Sequence, residues 1–235
     1  MPISKFLFAS FLDFLFPPVC LSCDASLEDG SVKICFTCWN SIARLSRSHP
    51  LYLDTKGKLT ENKVVADLVS CYVFEKEGAF QKIAHELKYG GFQVLGVELG
   101  RRIGAAMNEW QIRADVVIPI PLHRRKFRER GYNQAEAIAR GIAEATSIPL
   151  QTNLIRRRKF TETQTQLNLE QRKENMEDAF ELNANRTNEV KKNILLVDDV
   201  ITTGATIVSC AQELLNAGAA SIIAASAALA QKDVA

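Results

Sequence analysis

The sequence lacks a hydrophobic run long enough to cross a membrane. Its longest apolar stretch, residues 6–16, is interrupted by Asp13 and falls well short of the ~20 residues that a spanning helix needs. Only Lys5 precedes this stretch and Pro17-Pro18 follows it, a poor match to a secretory signal peptide. We therefore expect an amphipathic helix that packs on its own protein in the cytoplasm, with a peripheral contact at the inner membrane face as the alternative.

The chain also lacks a strong charge of either sign, internal repeats and low-complexity tracts. Its 29 Lys and Arg against 27 Asp and Glu give a formal net charge of +2, which by itself does not indicate a nucleic-acid-binding protein. A Ser-His-Asp or Cys-His pattern for nucleophilic catalysis is missing as well. With 235 residues, of which 47% are hydrophobic, the chain fits one large domain, or one domain and a small module.

Four of the six cysteines form two close pairs, Cys20 with Cys23 and Cys35 with Cys38. This spacing is typical of a tetrahedral zinc site with four thiolates, which leaves no open position for a substrate. Two disulfides in a secreted chain are the alternative, but the poor export signal favours structural zinc. Cys71 and Cys210 lie in apolar segments, where buried thiols are expected.

The pattern of apolar residues predicts two domains. Residues 1–50 form an N-terminal helix and zinc module, and residues 51–235 form a larger domain in which strand and helix patterns alternate. The predicted strands are 69–74, 116–120, 194–197 and 222–227, and the predicted helices lie near 80–87, 95–107, 134–146 and 206–216. Strands that are apolar throughout and alternate with helices predict an α/β fold with a parallel sheet covered on both faces.

The segment 156–188 interrupts this alternation. It is polar, weakly periodic and rich in Gln, Asn, Thr, Glu and Arg. We therefore expect it to form a mobile flap outside the core.

The most informative run spans residues 194–206, where an apolar strand pattern leads into Asp198-Asp199, a Thr/Gly loop and a helix start. Hydroxyls and free N–H groups at the positive end of a helix can hold a phosphate, and Gly204 lets the backbone approach it closely. The two carboxylates would repel that phosphate and are better suited to accept ribose hydroxyl groups. The run therefore predicts a sugar-phosphate site.

A basic segment follows the predicted strand 116–120, with five Lys and Arg between residues 124 and 130. We interpret it as a loop that neutralises a pyrophosphate, with Mg²⁺ bound through the phosphates. An exposed basic loop, or one that follows a nucleic-acid backbone, is the alternative. His123 could assist a leaving group, although a lone loop histidine is more often a plain polar residue. The candidate residues of this loop are Leu122, His123, Arg124, Arg125 and Arg130.

The run at 194–206 resembles the phosphoribosyl-pyrophosphate (PRPP) motif of type I phosphoribosyltransferases, which reads apolar strand, Asp-Asp, two apolar residues, Thr-Thr-Gly-x-Thr. The resemblance implies that Asp198 and Asp199 are the catalytic acids and bind the 2′- and 3′-hydroxyls of the ribose. It implies that residues 202–206 hold the 5′-phosphate. The full set of implied PRPP-binding residues is Asp198, Asp199, Val200, Ile201, Thr202, Thr203, Gly204, Ala205 and Thr206.

Further motifs make the chain similar to the ComF family, in which a zinc finger is joined to a phosphoribosyltransferase domain. These motifs are the four-cysteine module, Leu87-Lys88-Tyr89-Gly90-Gly91, the Pro-x-Pro-Leu-His-Arg-Arg segment with residues 130–134, and a flap pattern. In the flap the resemblance singles out Gln164, Arg172 and Asn175, whereas Gln166 stands where a small residue is common. The family is linked to natural competence, the uptake of transforming DNA by bacteria.

The resemblance implies Mg²⁺-dependent transfer of a phosphoribosyl group from PRPP to an acceptor that the sequence leaves open. The alternative is a non-catalytic competence protein that binds single-stranded DNA and works with other DNA-uptake proteins. In that case the zinc module and basic residues 124–130 and 156–159 would hold the strand, and Phe127, Tyr132 and Phe160 would stack on bases. A purine- or pyrimidine-salvage transferase ranks last, because nothing in the flap indicates a nucleobase pocket. The sequence indicates no oligomeric state.

Overall fold

The computed structural model describes residues 18–27, 33–61, 63–158, 179–183 and 190–231. The predicted helix at 6–16 lies outside this part of the chain. The described strands are β1 (Asp67–Phe74), β2 (Val116–Pro119), β3 (Ile155–Arg157), β4 (Phe180–Leu182), β5 (Asn193–Ile201) and β6 (Ser221–Ala230). The described helices are α1 (Phe36–Ser41), α2 (Pro50–Thr60), α3 (Ala79–Tyr89), α4 (Gln93–Glu109), α5 (Arg124–Arg130), α6 (Gln134–Thr146) and α7 (Ala205–Asn216).

Four strands form a parallel sheet in the order β1-β6-β5-β2. Alternate residues of β5 contact different cores, as expected for a strand buried on both faces. Leu195 and Val197 pack in the core that includes α3, α4 and α6, and Ile194 and Leu196 pack in the core that includes α2 and α7. The predicted α/β fold, with its parallel sheet and helices on both faces, is confirmed.

The end of β5 and the presence of α2 differ from the sequence prediction. Strand β5 continues through Asp198-Asp199 to Ile201, because its pairing with β6 extends from Asn193 opposite Ser221 to Ile201 opposite Leu229. The prediction that this strand stops at Val197 was therefore wrong. Helix α2 was not predicted, although His49 caps its first turn and its buried residues follow helical spacing.

The segment that leaves the cysteine module extends the sheet beyond β1. The N–H of Leu45 donates to the carbonyl of Cys71 (2.9 Å), and the N–H of Val73 donates to the carbonyl of Ala43 (2.9 Å). Cys20, Cys38 and Trp39 of the module belong to the same core as the sheet residues of β1. The module is therefore packed on the larger domain. Among the described residues, every helix is too short or too polar to traverse a bilayer.

Helices α4 and α6 approach each other closely through glycines. A Cβ on Gly100 would lie 2.0 Å from the carbonyl oxygen of Ile138, and a Cβ on Gly141 would lie 2.0 Å from that of Val97. Both atoms belong to the facing backbone, which cannot move aside as a flexible side chain can. This close approach fixes α6, whose first turn borders the site described below.

We predict that Gly100→Ala lowers the free energy of unfolding by about 2–3 kcal/mol, because the added methyl group forces α4 and α6 apart. Gly57→Ala in α2 is the matched control, since a Cβ there meets no atom within 4 Å. In the control, alanine should stabilise the helix by about 0.5–1 kcal/mol. Urea unfolding monitored by circular dichroism measures both values. Equal effects of the two substitutions would contradict the close helix contact.

Candidate functional site

The end of β5 and the start of α7 form an acidic strand followed by an exposed turn. Thr202 and Thr203 are exposed, and Gly204 adopts a left-handed conformation with φ of 75° directly before α7. A Cβ on Gly204 would also lie 2.5 Å from Cδ2 of Leu59. Both the positive φ and this close contact therefore favour glycine at this position. The turn presents hydroxyls and backbone N–H groups at the N-terminus of a twelve-residue helix. Such an arrangement suits a phosphate group.

The two acids lie within β5 and are partly enclosed. The N–H of Asp199 donates to Oδ1 of Asp198 (2.9 Å), and the N–H of Val200 donates to Oδ1 of Asp199 (2.8 Å). Burial raises the pKa of the Asp198 carboxyl to about 7, and the charge of Asp199 contributes in the same direction. Nζ of Lys88 lies 3.1 Å from Oδ2 of Asp199 and offsets part of that charge. Near neutral pH the free protein therefore carries less than two full negative charges here.

A cavity of about 170 Å³ opens beside these acids at the carboxyl ends of β2 and β5. Its walls carry charges of both signs, because four cations from three different elements face the two acids. The lining residues are Lys88, Ile120, Pro121, Leu122, Lys126, Arg130, Asn133, Gln134, Ala135, Arg157, Asp198, Asp199 and Thr206.

The cations in this cavity lie close enough to repel one another. Burial lowers the pKa of Lys126, and the charges of Arg130, Arg157 and Lys88 lower it further. Burial also lowers the pKa of Arg157, whereas the charge of Asp198 opposes this shift. A polyanion in the cavity would relieve the mutual repulsion of these cations.

The structure brings part of the predicted site together. Of the implied PRPP-binding residues, Asp198, Asp199 and Thr206 line the cavity. Thr202, Thr203, Gly204 and Ala205 form the turn and the first helical position next to it. Val200 and Ile201 instead pack against the two cores, so their side chains hold the strand in place.

The basic segment after β2 is helix α5, and the prediction of a loop was wrong. Nδ1 of His123 accepts the N–H of Arg125 (3.2 Å) and caps the start of the helix. Gly131 ends it in a left-handed conformation, with its N–H donating to the carbonyl of Phe127 (2.8 Å). Burial lowers the pKa of His123, and Arg157 and Arg124 lower it further, which favours the neutral ring whose Nδ1 can accept the bond from Arg125. His123 therefore serves as a helix cap.

The predicted pyrophosphate residues separate around this helix. Leu122 and Arg130 line the cavity that contains the acids. Arg124 instead lines a wider, open cavity of about 530 Å³ together with Leu122, Phe127 and Arg128. Arg125 lies 3.3 Å from Oε1 of Glu129, one helical turn away. Because the segment is helical, cations that are close in sequence lie on different faces of α5.

Five polar residues that line the cavity were not among the predicted site residues. Asn133 caps α6 through its Oδ1 and donates from Nδ2 to the carbonyl of Ile120 (2.9 Å). Buried Gln134 accepts a bond from Nη1 of Arg130 (2.8 Å). Lys126 is one of five cations between residues 124 and 130, whereas Lys88 and Arg157 come from distant parts of the chain. For Lys88, the sequence signal that pointed to a functional role was its position in the family motif 87–91.

The predicted flap is only partly described. Gln164, Gln166, Arg172 and Asn175 lie outside the described residues. The two ends of the segment form an antiparallel ribbon in which β3 pairs with β4. Ile155 and Phe180 of this ribbon are buried. Residues 156–157 and 180–182 therefore form short strands next to the core, whereas residues 159–178 and 184–188 of the predicted flap lie outside the described part of the chain.

The cysteine module has the geometry of a metal site. The Sγ atoms of Cys20, Cys23, Cys35 and Cys38 all lie within 4.8 Å of one another, and the Cys23–Cys35 distance is 3.8 Å. Four thiolates around Zn²⁺ with bonds of ~2.3 Å would lie about 3.8 Å apart. The N–H groups of Ser22 (3.4 Å) and Cys35 (3.3 Å) point at Sγ of Cys20. The module fits structural zinc, and all six cysteines are free of disulfides.

Two family models match the chain. Residues 112–233 match the phosphoribosyl transferase domain, and residues 11–50 match the double zinc ribbon domain. The first match covers more than half of the chain, which therefore belongs to the phosphoribosyl transferase domain family. The second match supports structural zinc at the four cysteines.

The curated relatives carry names from DNA uptake and utilization. Competence protein F of Haemophilus influenzae is 37% identical over 93 residues, 40% of this chain and 41% of that protein. DNA utilization protein YhgH of Escherichia coli K12 is 32% identical over 108 residues, 46% of each chain. Competence protein ComFC of Bacillus subtilis is 33% identical over 109 residues, 46% of this chain and 41% of that protein. The chain thus spans less than half the length of these relatives, and the resemblance to the ComF family is confirmed.

Solved structures show more distant likenesses. A glutamine PRPP amidotransferase from B. subtilis, complexed with ADP and GMP, has a TM-score of 0.37 and 23% identity, covering 56% of this chain and 25% of that one. A purine phosphoribosyltransferase from Pyrococcus horikoshii has a TM-score of 0.33 and 17% identity, covering 57% and 82%. At these TM-scores the likenesses carry no argument about function.

Proposed function

We propose that this protein binds PRPP with Mg²⁺ in the cavity beside β5 and transfers the phosphoribosyl group to an acceptor. The observation that carries the proposal is the charge arrangement of that cavity, where two acids face four cations next to a phosphate-binding turn. PRPP needs the same three features, since it has two ribose hydroxyls, a pyrophosphate and a 5′-phosphate.

Each group of PRPP has a counterpart among the described residues. Asp198 and Asp199 accept hydrogen bonds from the ribose hydroxyls. The turn at 202–206 holds the 5′-phosphate at the N-terminus of α7. Arg130, Lys126 and Arg157 contact the pyrophosphate, whose negative charge relieves their mutual repulsion.

The transfer follows from this placement. The bond between ribose C1 and the pyrophosphate oxygen breaks, and its electron pair leaves with the pyrophosphate. A lone pair of the acceptor forms the new bond to C1, and the acceptor then loses its proton to solvent. The carboxylates stabilise the positive charge that develops on the ribose ring, and the cations stabilise the leaving pyrophosphate. Mg²⁺, when bound together with PRPP, would supply further neutralisation of that charge.

We infer from the names of the relatives that the reaction serves DNA uptake or utilization. Competence protein F and DNA utilization protein YhgH are similar to this chain over 93 and 108 residues. We place this reaction in the cytoplasm, as predicted from the sequence.

Calorimetric titration of the zinc-loaded protein with PRPP, with and without Mg²⁺, tests the proposal. We expect saturable binding that is much tighter with Mg²⁺ than without it. Absence of binding by the folded protein under both conditions would overturn the proposal. Release of pyrophosphate during a screen of candidate acceptors would then identify the transfer step.

Single-stranded DNA binding is a second candidate, which an exposed aromatic side chain supports. Phe127 is 47% exposed on α5, between the exposed residues Arg124 and Arg128. Other residues suggested for this role are less suitable. Tyr132 is buried and its hydroxyl donates to the carbonyl of Leu87. Arg156 and Arg158 both form ion pairs with Glu181, and residues 159–160 lie outside the described part.

The test of this second candidate is the salt dependence of DNA affinity. An affinity for single-stranded DNA that falls steeply with salt and is reduced by Phe127→Ala would support it. Absence of binding at low salt would exclude α5 as a DNA-contacting surface.

A further inference from the structure

The motif at residues 87–91 contributes Lys88 to the lining of the cavity. The carbonyl of Leu87 accepts a hydrogen bond from the hydroxyl of Tyr132. The ring of Tyr89 lies 5.1 Å from that of His85 and 5.6 Å from the guanidinium of Arg130. The end of α3 therefore packs against the end of α5 and the segment that links α5 to α6.

Helix α3 stops abruptly after Lys88 and Tyr89. A Cβ on Gly90 would lie 2.9 Å from the carbonyl oxygen of Glu86 and 2.8 Å from Cδ2 of Phe92, and Gly91 has a φ of 74°. Six residues before Lys88 on the same helix, Nζ of Lys82 donates to the carbonyl of Ser22, which lies between Cys20 and Cys23 (2.8 Å). With contacts at both ends, the helix holds the backbone of Lys88 at the rim of the cavity.

The side chain of Lys88 pairs with Asp199, one of the two acids that the ribose would need. Its Nζ lies 3.1 Å from Oδ2 of Asp199, and the side chains of Lys88 and Asp199 are only 27% and 17% exposed. A ribose hydroxyl that donates to Asp199 competes with this ion pair for the same carboxylate. The ammonium group that is released lies in a cavity where Lys126 and Arg130 already attract an anion.

We propose that Lys88 is a pyrophosphate-binding residue, which pairs with Asp199 in the free protein and with the pyrophosphate once the ribose hydroxyls occupy Asp199. The assignment rests on the proposed function and adds a residue to it. PRPP binding then replaces the Lys88–Asp199 ion pair by an ion pair between Lys88 and the pyrophosphate. Asp199 gains hydrogen bonds from the ribose when it loses Lys88, so neither charge is left unpaired in the partly buried cavity.

The test compares two ligands and three variants of the zinc-loaded full-length protein. The variants are Lys88→Met, Lys88→Arg and, as a matched control, Lys76→Met in the exposed turn before α3. The ligands are PRPP with Mg²⁺ and ribose 5-phosphate, which has the same hydroxyls and 5′-phosphate but lacks the pyrophosphate. Calorimetry or competition against labelled PRPP gives the dissociation constants, and zinc content and melting temperature verify the fold.

We expect Lys88→Met to weaken PRPP binding about tenfold, because a hydrogen bond to a charged group is lost and the competing ion pair with Asp199 offsets part of the effect. Ribose 5-phosphate should bind this variant as well as or better than the wild type. Lys88→Arg should restore most of the PRPP affinity, and Lys76→Met should bind like the wild type.

Three outcomes would overturn the assignment. PRPP affinity that is unchanged in Lys88→Met would show that Lys88 does not contact the ligand. Tighter PRPP binding would show that Lys88 only blocks the acids. Equal weakening of both ligands would show a structural role. If the wild type itself binds no PRPP, the proposed function fails, a result distinct from wild-type binding that Lys88→Met leaves intact.

Discussion

The double substitution Asp198→Asn/Asp199→Asn should weaken binding of PRPP with Mg²⁺ by at least about a hundredfold. Both carboxylates line the cavity, and each is expected to accept a hydrogen bond from a ribose hydroxyl. A hydrogen bond to a charged group contributes about 1.5–3 kcal/mol, so the loss of two corresponds to two orders of magnitude or more. Calorimetric titration measures the change. Binding within a few-fold of wild type would exclude these acids from the site.

The matched control for this variant is Asp54→Asn. Asp54 lies on α2, its side chain is 56% exposed and it pairs with Lys58 one helical turn away. The chemical change is the same, but the residue is not part of the cavity lining. The control should bind PRPP like the wild type. A comparable loss in the control would point to an unspecific effect of removing acids.

Asp198→Asn alone should stabilise the ligand-free protein at pH 8 by up to about 4 kcal/mol. Burial raises the pKa of Asp198 from 3.8 to about 7, so the folded state binds this proton more tightly than the unfolded state does. The stabilisation from the bound proton is complete below pH ~4 and is lost as the pH rises through about 7. Asparagine stays neutral and avoids that loss.

Urea unfolding of wild type and Asp198→Asn at pH 8 and pH 4.5 measures this effect. The advantage of the variant should be present at pH 8 and shrink strongly at pH 4.5. A variant that is less stable than the wild type at pH 8 would contradict a destabilising buried charge at this position. The comparison also separates a defect in PRPP binding from a defect in folding.

The strand that carries the acids could be predicted from its own local sequence. Residues 194–197 are apolar without interruption, which is typical of a strand buried on both faces, and the structure buries all four. The Thr/Gly turn and the helix start could also be read locally, since Gly204 has to adopt a positive φ where α7 begins. The local sequence thus contains the acidic half of the candidate site.

The cationic half could not be predicted as a unit, because its members come from α3, α5 and β3. Lys88 is 111 residues away from Asp199 in sequence, and only the packing of α3 brings the two together at 3.1 Å. Helix α5 has no buried residue, so it lacks the apolar periodicity that would have identified it as a helix. Its signals were the capping residues His123 and Gly131, which are easily read as loop residues.

The ribbon of β3 and β4 shows a similar limit. Each strand has three residues and pairs with a partner about 25 residues away, as for Arg156 opposite Glu181. A polar segment of this kind resembles a loop until its pairing partner is known. Burial of Ile155 and Phe180 stabilises the ribbon, and such isolated apolar residues were a weak local indication of it.

Loss of the metal should have the largest effect on stability, because the cysteine module shares a core with the sheet. Cys38 and Trp39 belong to the core that also contains Val69 and Tyr72 of β1. The ring of Trp39 lies 6.3 Å from that of Tyr72, and the guanidinium of Arg102 lies 4.0 Å from the ring of Trp39. Structural zinc sites contribute on the order of 10 kcal/mol of binding energy to folding. Without zinc, the cysteine turns are no longer fixed, and the contacts of Trp39 with Tyr72 and Arg102 are weakened.

We expect Cys38→Ser to bind less than a tenth of the zinc bound by wild type and to unfold at much lower temperature, with a loss of several kcal/mol. Cys71→Ser is the matched control, since Cys71 lies on β1 outside the four-cysteine cluster and should leave zinc content unchanged. Zinc content from elemental analysis and calorimetric melting measure both effects. PRPP affinity should fall with zinc content as well, because Lys82, on the same helix as Lys88, donates to the carbonyl of Ser22 between two of the ligands. A Cys38→Ser variant that keeps both its zinc and its melting temperature would show that the four thiols form no metal site.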